Sequence, residues 1–239
     1  MFVYELSLQI CPSAPLPFEQ ASEEIGRFID SALGKNRVAL AYHISLEFKL
    51  YTFDLPHPLE SGNIYQEGNV YTVRIRTIRQ ELASFFREKL PVHSTSGLQG
   101  LGGELRVIPQ YDLERVFSLT PVVVKTRQGY WRGRMPLAEY AGQLQANLIR
   151  KYNYYSSAHL AEDYPLFRRL EFQNHKPVRI PYKNISLLGD KISLTAFAAP
   201  QAQEVLYMAL GTGVGENNAR GCGFLSYRYY RGKRDGREA

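Results

Sequence analysis

The chain contains little cysteine, no long apolar run and no clustered metal ligands. Its 239 residues include only Cys11 and Cys222, which excludes a disulfide scaffold and a four-cysteine zinc site. No stretch approaches the roughly 20 apolar residues that a membrane-spanning helix needs. The first ten residues lack the basic segment and the cleavage site of a secretory signal, and they alternate like a strand. We therefore expect a cytoplasmic protein with no membrane partner, no metal and no other cofactor.

What the chain does contain is a modest positive charge together with many aromatic residues. Its formal net charge is +6, and 17 tyrosines, 12 phenylalanines and one tryptophan accompany the cations. Cations that neutralise phosphates, interleaved with rings that stack on bases, are typical of proteins that bind single-stranded nucleic acid. An aromatic core under a slightly basic surface would have the same composition, so composition alone leaves both interpretations open.

The spacing of apolar residues predicts two similar halves. In the first half it predicts helices at 18–33 and 80–90 and strands at 3–10, 46–53, 70–78 and 104–116. In the second half it predicts helices at 137–152 and 201–210 and strands at 120–125, 178–181, 184–198 (split at Gly189-Asp190) and 224–230. Each half then has the order β-α-β-β-α-β of the ferredoxin-like fold. We predict an α+β protein with two tandem ferredoxin-like (RRM-like) domains and antiparallel sheets, comprising residues 1–117 and 118–230, and a basic flexible tail at 231–239.

The most specific motif is the glycine-rich segment at residues 210–224, LGTGVGENNARGCGF. It is neither a Walker A loop, which needs Gly-Lys-Ser/Thr, nor a dinucleotide fingerprint, which needs a strand before the loop and a helix after it. Glycines let backbone N–H groups approach phosphates closely, and an arginine adds a guanidinium fork. We predict that this segment binds the nucleic-acid backbone through Gly211, Gly213, Gly215, Arg220, Gly221 and Gly223. The structural alternative is a helix C-cap at Gly211 followed by a tight turn.

The pattern Gly-x-Gly-x5-Gly-x-Gly from Gly213 to Gly223 resembles the RAMP superfamily. Within it, the chain resembles the sixth Cas family, the CRISPR-associated endoribonucleases that cut precursor CRISPR RNA within its repeats. Three more regions carry this resemblance: KLYTFD at 49–54, VYTVRI at 70–75, and TPVVV at 120–124 with NLIRKY at 147–152. Asp54 stands where the family usually has serine. The resemblance extends over nearly the whole chain.

The resemblance implies a metal-independent endoribonuclease that attacks with the substrate's own 2′-hydroxyl, leaves 2′,3′-cyclic phosphate and 5′-hydroxyl ends, and retains its product. The family commonly has a histidine shortly before the Lys-x-aromatic-Thr-Phe segment. His43 is thereby implied as the proton-transfer residue and Lys49 as the residue that stabilises charge on the phosphorane. Six residues of straight strand would separate the two by about 20 Å. The chain must therefore bend between them, or His43 must lie in a loop over the strand start.

The chain departs from the family at the first helix, where several members have a catalytic tyrosine and this helix has none. The leaving-group acid is therefore open, and so is a second interpretation: a non-catalytic RAMP subunit that binds RNA in a CRISPR effector complex. A third, more remote interpretation is a pair of ferredoxin-like domains that senses a small molecule. The resemblance implies CRISPR repeat RNA as the partner and leaves open both association with other Cas proteins and a homodimer.

Two further groups of cations are candidates for RNA binding. Arg74 and Arg76 share one face of a predicted strand, and Arg127 and Arg132 flank Trp131, the only tryptophan. A loop with this composition can stack a base and hold a phosphate. The structural alternatives are a solvated sheet face for the first group and a strand–helix connection with scattered charge for the second.

Overall fold

The described residues of the first half form two α-helices and a four-stranded sheet. The computed structural model describes residues 1–35, 48–126, 129–182 and 185–230. The elements of this half are β1 (Val3–Pro12), β2 (Leu16–Pro17), α1 (Phe18–Gly34), β3 (Tyr51–Phe53), β4 (Ile64–Tyr65), β5 (Tyr71–Thr77), α2 (Gln80–Lys89) and β6 (Leu98–Ile108). The sheet has the order β3-β5-β1-β6 with antiparallel neighbours, and β2 pairs separately with β4. Buried residues of α1 such as Ile25, Phe28 and Ile29 share one core with Leu6 and Leu8 of β1.

The second half repeats this topology. Its elements are β7 (Leu113–Ser118), α3 (Leu137–Ser156), β8 (Phe167–Phe172), β9 (Val178–Tyr182), β10 (Ile185–Gly189), β11 (Ile192–Ala196), α4 (Pro200–Thr212) and β12 (Leu225–Tyr229). Its main sheet has the order β12-β7-β11-β8, and β9 pairs with β10 as a separate hairpin. In both sheets the first strand lies between the third and the fourth. The predicted pair of ferredoxin-like domains is therefore confirmed. Within the described ranges, no helix is long and apolar enough to cross a bilayer.

Several predicted elements were wrong in detail. The strand predicted at 104–116 is two strands, because β6 ends at Ile108 and β7 begins at Leu113. Pro109, which has no backbone N–H, lies at this break. Residues 120–125 form only isolated bridges at Val122 and Val123, and β8 was not predicted at all. Because β7 pairs with β11 and β12, we propose that the domains meet at residues 109–112 rather than at 117–118.

Helix α4 packs against the first domain as well as its own. The hydroxyl of Tyr207 donates to the carbonyl of Ile108 at 2.6 Å and accepts from the amide of Val3 at 3.2 Å. Gly211 lies inside α4, and a Cβ there would come within 2.8 Å of Ile78 Cγ2. The C-cap predicted at Gly211 was therefore wrong: the helix continues to Thr212 and is capped by Gly213, whose φ is +74°.

Candidate nucleic-acid interface

A cleft of about 300 Å³ lies between the start of β3 and the glycine-rich segment. We call it the glycine-loop cleft. The first domain contributes residues 48–51, and α3 contributes Asn147 and Lys151. The glycine-rich segment contributes Thr212 and residues 215–220, and Lys125 completes the lining. The fold thus brings together two features that the sequence suggested separately, Lys49 and the glycine-rich segment.

Lys49 reaches the cleft because the chain turns sharply just before β3. Leu50 adopts a left-handed conformation with φ of +46°, which is uncommon for a residue other than glycine. Leu50 packs into the core of the second domain, whereas Tyr51 packs into the core of the first. Lys49, just before them, is half-buried and lines the cleft. The other predicted catalytic residue, His43, lies outside the described residues.

The glycine-rich segment is held from inside by Lys151 of α3. Its Nζ donates to the carbonyls of Gly213 at 3.0 Å and Gly215 at 2.9 Å, and to Asn218 Oδ1 at 2.6 Å. Three acceptors match the three hydrogens of an ammonium group. Burial of the side chain lowers the pKa of Lys151 to about 7. Sequence reasoning missed this role, although its position between the apolar residues Leu148, Ile149 and Tyr152 of α3 was a usable signal.

Asn218 ties the two ends of the segment together. Its Nδ2 donates to the carbonyls of Val214 at 3.0 Å and Cys222 at 2.9 Å. The amides of Gly213, Gly221 and Gly223 donate to the carbonyls of Ala209, Asn218 and Pro121. Phosphate binding predicted for these amides and for Gly211 is therefore wrong, because protein acceptors already occupy the three loop amides and Gly211 is buried within α4.

Packing explains why glycine is needed in this segment. Gly215 has φ of +69°, and a Cβ there would lie 2.5 Å from the carbonyl oxygen of Val123. A Cβ at Gly223, which also has φ of +69°, would collide with the carbonyl oxygen of Val214. Gly215 is buried but lines the glycine-loop cleft, so its predicted contact with RNA stays a prediction. The segment therefore offers the cleft mainly its side chains.

Two cations at the cleft are paired with carboxylates. Arg220 forms a salt bridge with Asp30 of α1, and its carbonyl accepts a hydrogen bond from Ser22 Oγ at 2.7 Å. Lys125 Nζ lies 3.4 Å from Glu216 Oε2. Both pairs are partly exposed, so each is worth little in free energy. A phosphate can therefore replace either carboxylate at small cost.

Of the two arginines predicted on β5, one is accessible and one is not. Arg74 Nε donates to Asp54 Oδ2 at 2.6 Å, and its side chain is 29% exposed. Asp54, at the position where the family usually has serine, thus serves as a partner for this arginine. Arg76 is 2% exposed and donates to Glu5 Oε2 at 2.6 Å and the Leu225 carbonyl at 2.6 Å. RNA binding by Arg76 was therefore predicted wrongly; the residue joins the two domains.

The Glu5 carboxylate that pairs with Arg76 stays ionised in the interior. Burial acts to raise the pKa of Glu5, but Arg76 and Arg106 hold it below its usual value. Arg106 Nη2 donates to Glu5 Oε1 at 2.6 Å. This carboxylate therefore binds one arginine from each neighbouring strand, Arg76 of β5 and Arg106 of β6.

The segment around Trp131 folds inward rather than outward. Trp131 is 7% exposed, stacks on Tyr140 at a centroid distance of 4.2 Å, and donates from Nε1 to Asp190 Oδ2 at 2.7 Å. Arg132 donates to Asp190 Oδ1 at 2.7 Å and to the His175 carbonyl at 2.7 Å. Base stacking by Trp131 was therefore predicted wrongly, and the fork of Arg132 is engaged within the protein. Arg127 lies outside the described residues.

Neither histidines nor carboxylates assemble a metal centre in the part of the chain that the structure describes. His93 is buried and packs on Phe28 with centroids 5.0 Å apart. Burial and, to a smaller extent, the charge of Lys35 lower the pKa of His93. His57 instead lies at the surface, with Nε2 3.5 Å from Asp54 Oδ2.

Two tandem ferredoxin-like domains with a glycine-rich segment before the last strand define a RAMP fold. Solved structures with this fold include CRISPR associated protein Cas6, with TM-score 0.70 and 16% identity over 95% of this chain and 99% of that one. A RAMP protein binding different RNA substrates matches with TM-score 0.68 and 18% identity over 95% and 100%. A Cas6-related protein from Pyrococcus furiosus matches with TM-score 0.68 and 16% identity over 95% and 98%.

The sequence itself agrees with this class. Residues 109–227 match the family model for the C-terminal part of CRISPR associated protein Cas6. No curated protein matches the chain by sequence. The C-terminal part of the chain is therefore similar to the Cas6 family, and the whole chain has the Cas6 fold. The resemblance predicted from the sequence is therefore confirmed.

Proposed function

We propose that the protein binds CRISPR repeat RNA in the glycine-loop cleft and cuts it without a metal ion. The observation that carries this proposal is the position of Lys49, which lines a cleft walled by the glycine-rich segment. The similarity of residues 109–227 to the Cas6 family and the Cas6 fold of the whole chain support the same activity. The cut RNA remains bound as a partner, because the paired cations Lys125 and Arg220 lie along the same cleft.

The reaction needs a base, a cation and an acid. The 2′-hydroxyl gives up its proton and its oxygen attacks the adjacent phosphorus, while the bond to the 5′-oxygen breaks and that oxygen takes a proton. We assign proton transfer to His43 and stabilisation of the phosphorane charge to Lys49. Strand β3 begins only at Tyr51, so Lys49 precedes the strand.

One observation favours a second candidate, a RAMP subunit that binds RNA without cutting it. Helix α1 contains no tyrosine, and its Phe28 is a core residue of the first domain that is 1% exposed. Among the described residues that line the cleft, the only tyrosine is Tyr51, which is also buried. The described residues of the cleft therefore offer no accessible phenol, and the identity of the leaving-group acid stays open.

A cleavage assay separates the two candidates. Labelled repeat RNA from the CRISPR array of the source genome is incubated with the protein in EDTA, and the product ends are analysed. We expect cleavage by the unmodified protein and losses of about 10²–10⁴-fold for His43→Ala and about 10²–10³-fold for Lys49→Ala. His159→Ala and Lys89→Ala, exposed residues outside the cleft, are matched controls that should cut normally.

Three results would contradict parts of this proposal. Undiminished cleavage by His43→Ala removes His43 from the mechanism. Loss of cleavage in EDTA, restored by a divalent cation, overturns the metal-independent route. Tight, salt-sensitive binding with no cleavage by the unmodified protein identifies the non-catalytic subunit instead.

A further inference from the structure

A second cavity, of about 460 Å³, lies on the other side of the glycine-rich segment. We call it the apolar pocket. Its walls come from both domains and include Leu55, Pro56, Leu59, Leu119, Pro121, Val178, Ile180 and Cys222. A cavity of this size with mostly apolar walls and a few polar groups has the character of a site for a small planar group.

Polar groups lie at the rim of this pocket. Arg179 of β9 and Lys191 contribute two cations, and Arg179 is held in place by donating from Nε to Ser186 Oγ at 2.7 Å. On the opposite side, His57 lies beside Asp54. Glu19 adds one exposed carboxylate to the same lining, so the two cations exceed it by one charge and the rim suits an anionic ligand whose flat part enters the apolar interior. A nucleotide, with a phosphate and a base, has this combination of charge and shape.

A groove of about 300 Å³ between α1 and the β9–β10 hairpin adjoins both the apolar pocket and the glycine-loop cleft. This groove shares Arg220 with the glycine-loop cleft and shares Ser22, Ile180, Pro181 and Cys222 with the apolar pocket. Its acidic residues are already paired, Asp30 with Arg220 and Glu23 with Arg27. One strand of nucleic acid can therefore follow a single path through all three.

We propose that the apolar pocket binds one unpaired base of the RNA, on the same strand as the scissile phosphate. This inference rests on the proposed function, because it assumes that repeat RNA occupies the glycine-loop cleft. A base inside a duplex has both faces stacked and its edge paired, so only an unpaired base can enter. The pocket therefore selects RNA that is single-stranded at a fixed distance from the cut.

A set of RNAs with single abasic nucleotides tests the pocket. The repeat RNA carries a 2′-deoxy sugar at the cleaved nucleotide, and each RNA of the set lacks one base; affinity is measured by fluorescence anisotropy. We expect one position where loss of the base weakens binding about tenfold, in line with the energy of stacking one base. Leu59→Glu blocks the pocket, so removal of the base at this position should not lower the affinity of that variant any further.

Leu59→Glu itself should weaken binding of the intact RNA about tenfold. Leu59 is 47% exposed, so the substitution does not disturb the core, and Val92→Glu is the matched control because Val92 is 80% exposed and lines neither cavity. Equal affinities for all abasic RNAs would overturn the proposal. An RNA affinity of Leu59→Glu equal to that of the unmodified protein would also overturn it. The pocket would then be a candidate site for an apolar peptide of a protein partner.

The outcomes also separate this inference from the proposed function. If the protein does not cut, the RNA needs no 2′-deoxy sugar. The pocket is then still supported if removal of one particular base weakens binding to the unmodified protein but not to Leu59→Glu. If the protein cuts repeat RNA but no abasic position matters, the pocket fails alone. If no repeat RNA binds, both proposals fail.

Discussion

The glycine-rich segment and the tryptophan segment (residues 129–136) were expected to bind RNA for similar reasons, but they differ in how they pack in the structure. Each is organised by one buried charged side chain. Lys151 donates to three oxygens of the glycine-rich segment. Asp190 accepts from the side chains of Tyr130, Trp131, Arg132 and Asn174. The glycine-rich segment keeps a face toward a cleft, whereas the tryptophan segment places its ring in the core.

The difference lies in which groups each buried charge recruits. A buried ammonium group needs oxygen acceptors, and a glycine-rich backbone supplies them as carbonyl groups. The side chains of this segment, such as those of Glu216 and Arg220, can then still line the cleft. A buried carboxylate needs N–H and O–H donors, and the donors at hand are the same tyrosine, tryptophan and arginine that suit RNA binding. A composition suited to RNA is therefore also a composition suited to satisfying a buried carboxylate.

The largest effect should follow from Lys151→Met. Removal of the ammonium leaves the oxygens of Gly213, Gly215 and Asn218 buried without their donor. We expect the free energy of unfolding to fall by about 3–5 kcal/mol, measured by urea denaturation. Arg150→Met, at the exposed neighbouring position, should change it by less than about 0.5 kcal/mol. Equal stability of the two variants would show that Lys151 does not organise the segment.

A smaller loss is expected for Asp190→Ala. It leaves the Trp131 indole N–H and the Tyr130 hydroxyl without their acceptor. We expect a loss of about 2–4 kcal/mol, together with a red shift of the fluorescence of the only tryptophan. Asp163→Ala is the exposed control. If the emission of the variant matched that of the unmodified protein, Asp190 would not fix the ring in the core.

The smallest expected effect is a change with pH in the contribution of Lys151 to the free energy of unfolding. Burial lowers the pKa of Lys151 from 10.5 to about 7. Between these values the unfolded chain holds the proton more tightly than the folded one, so the contribution of Lys151 to stability rises with pH and is lowest below pH 7. From pH 7.5 to 9, the difference in unfolding free energy between the unmodified protein and Lys151→Met should grow by about 1–2 kcal/mol. A constant difference would mean that the three acceptors keep the ammonium charged.

The predictions from sequence succeeded where the pattern was local and repeated. The apolar stripe of α1 and the alternation of β1 gave elements at nearly the observed residues, and the order of elements gave two ferredoxin-like domains. The predictions were wrong where a partner far away in the sequence determines whether a side chain is buried. Arg76 looked like a surface cation, but Glu5 and the carbonyl of Leu225 hold it in the interior. Those partners lie 71 and 149 residues away along the chain, beyond the reach of periodicity.

The sequence by itself determined the order of the elements and the presence of a glycine-rich segment, because hydrophobic periodicity and glycine spacing act over a few residues. Its short motifs carried the resemblance to the family. The tertiary structure decided which of the candidate groups meet. In the folded protein, Lys49 and the glycine-rich segment line the same cleft, whereas Arg76 and Trp131 are buried. The physical reason is that a buried charge must be neutralised or fully hydrogen-bonded, and Lys151, Glu5 and Asp190 meet that demand with groups brought close only by folding.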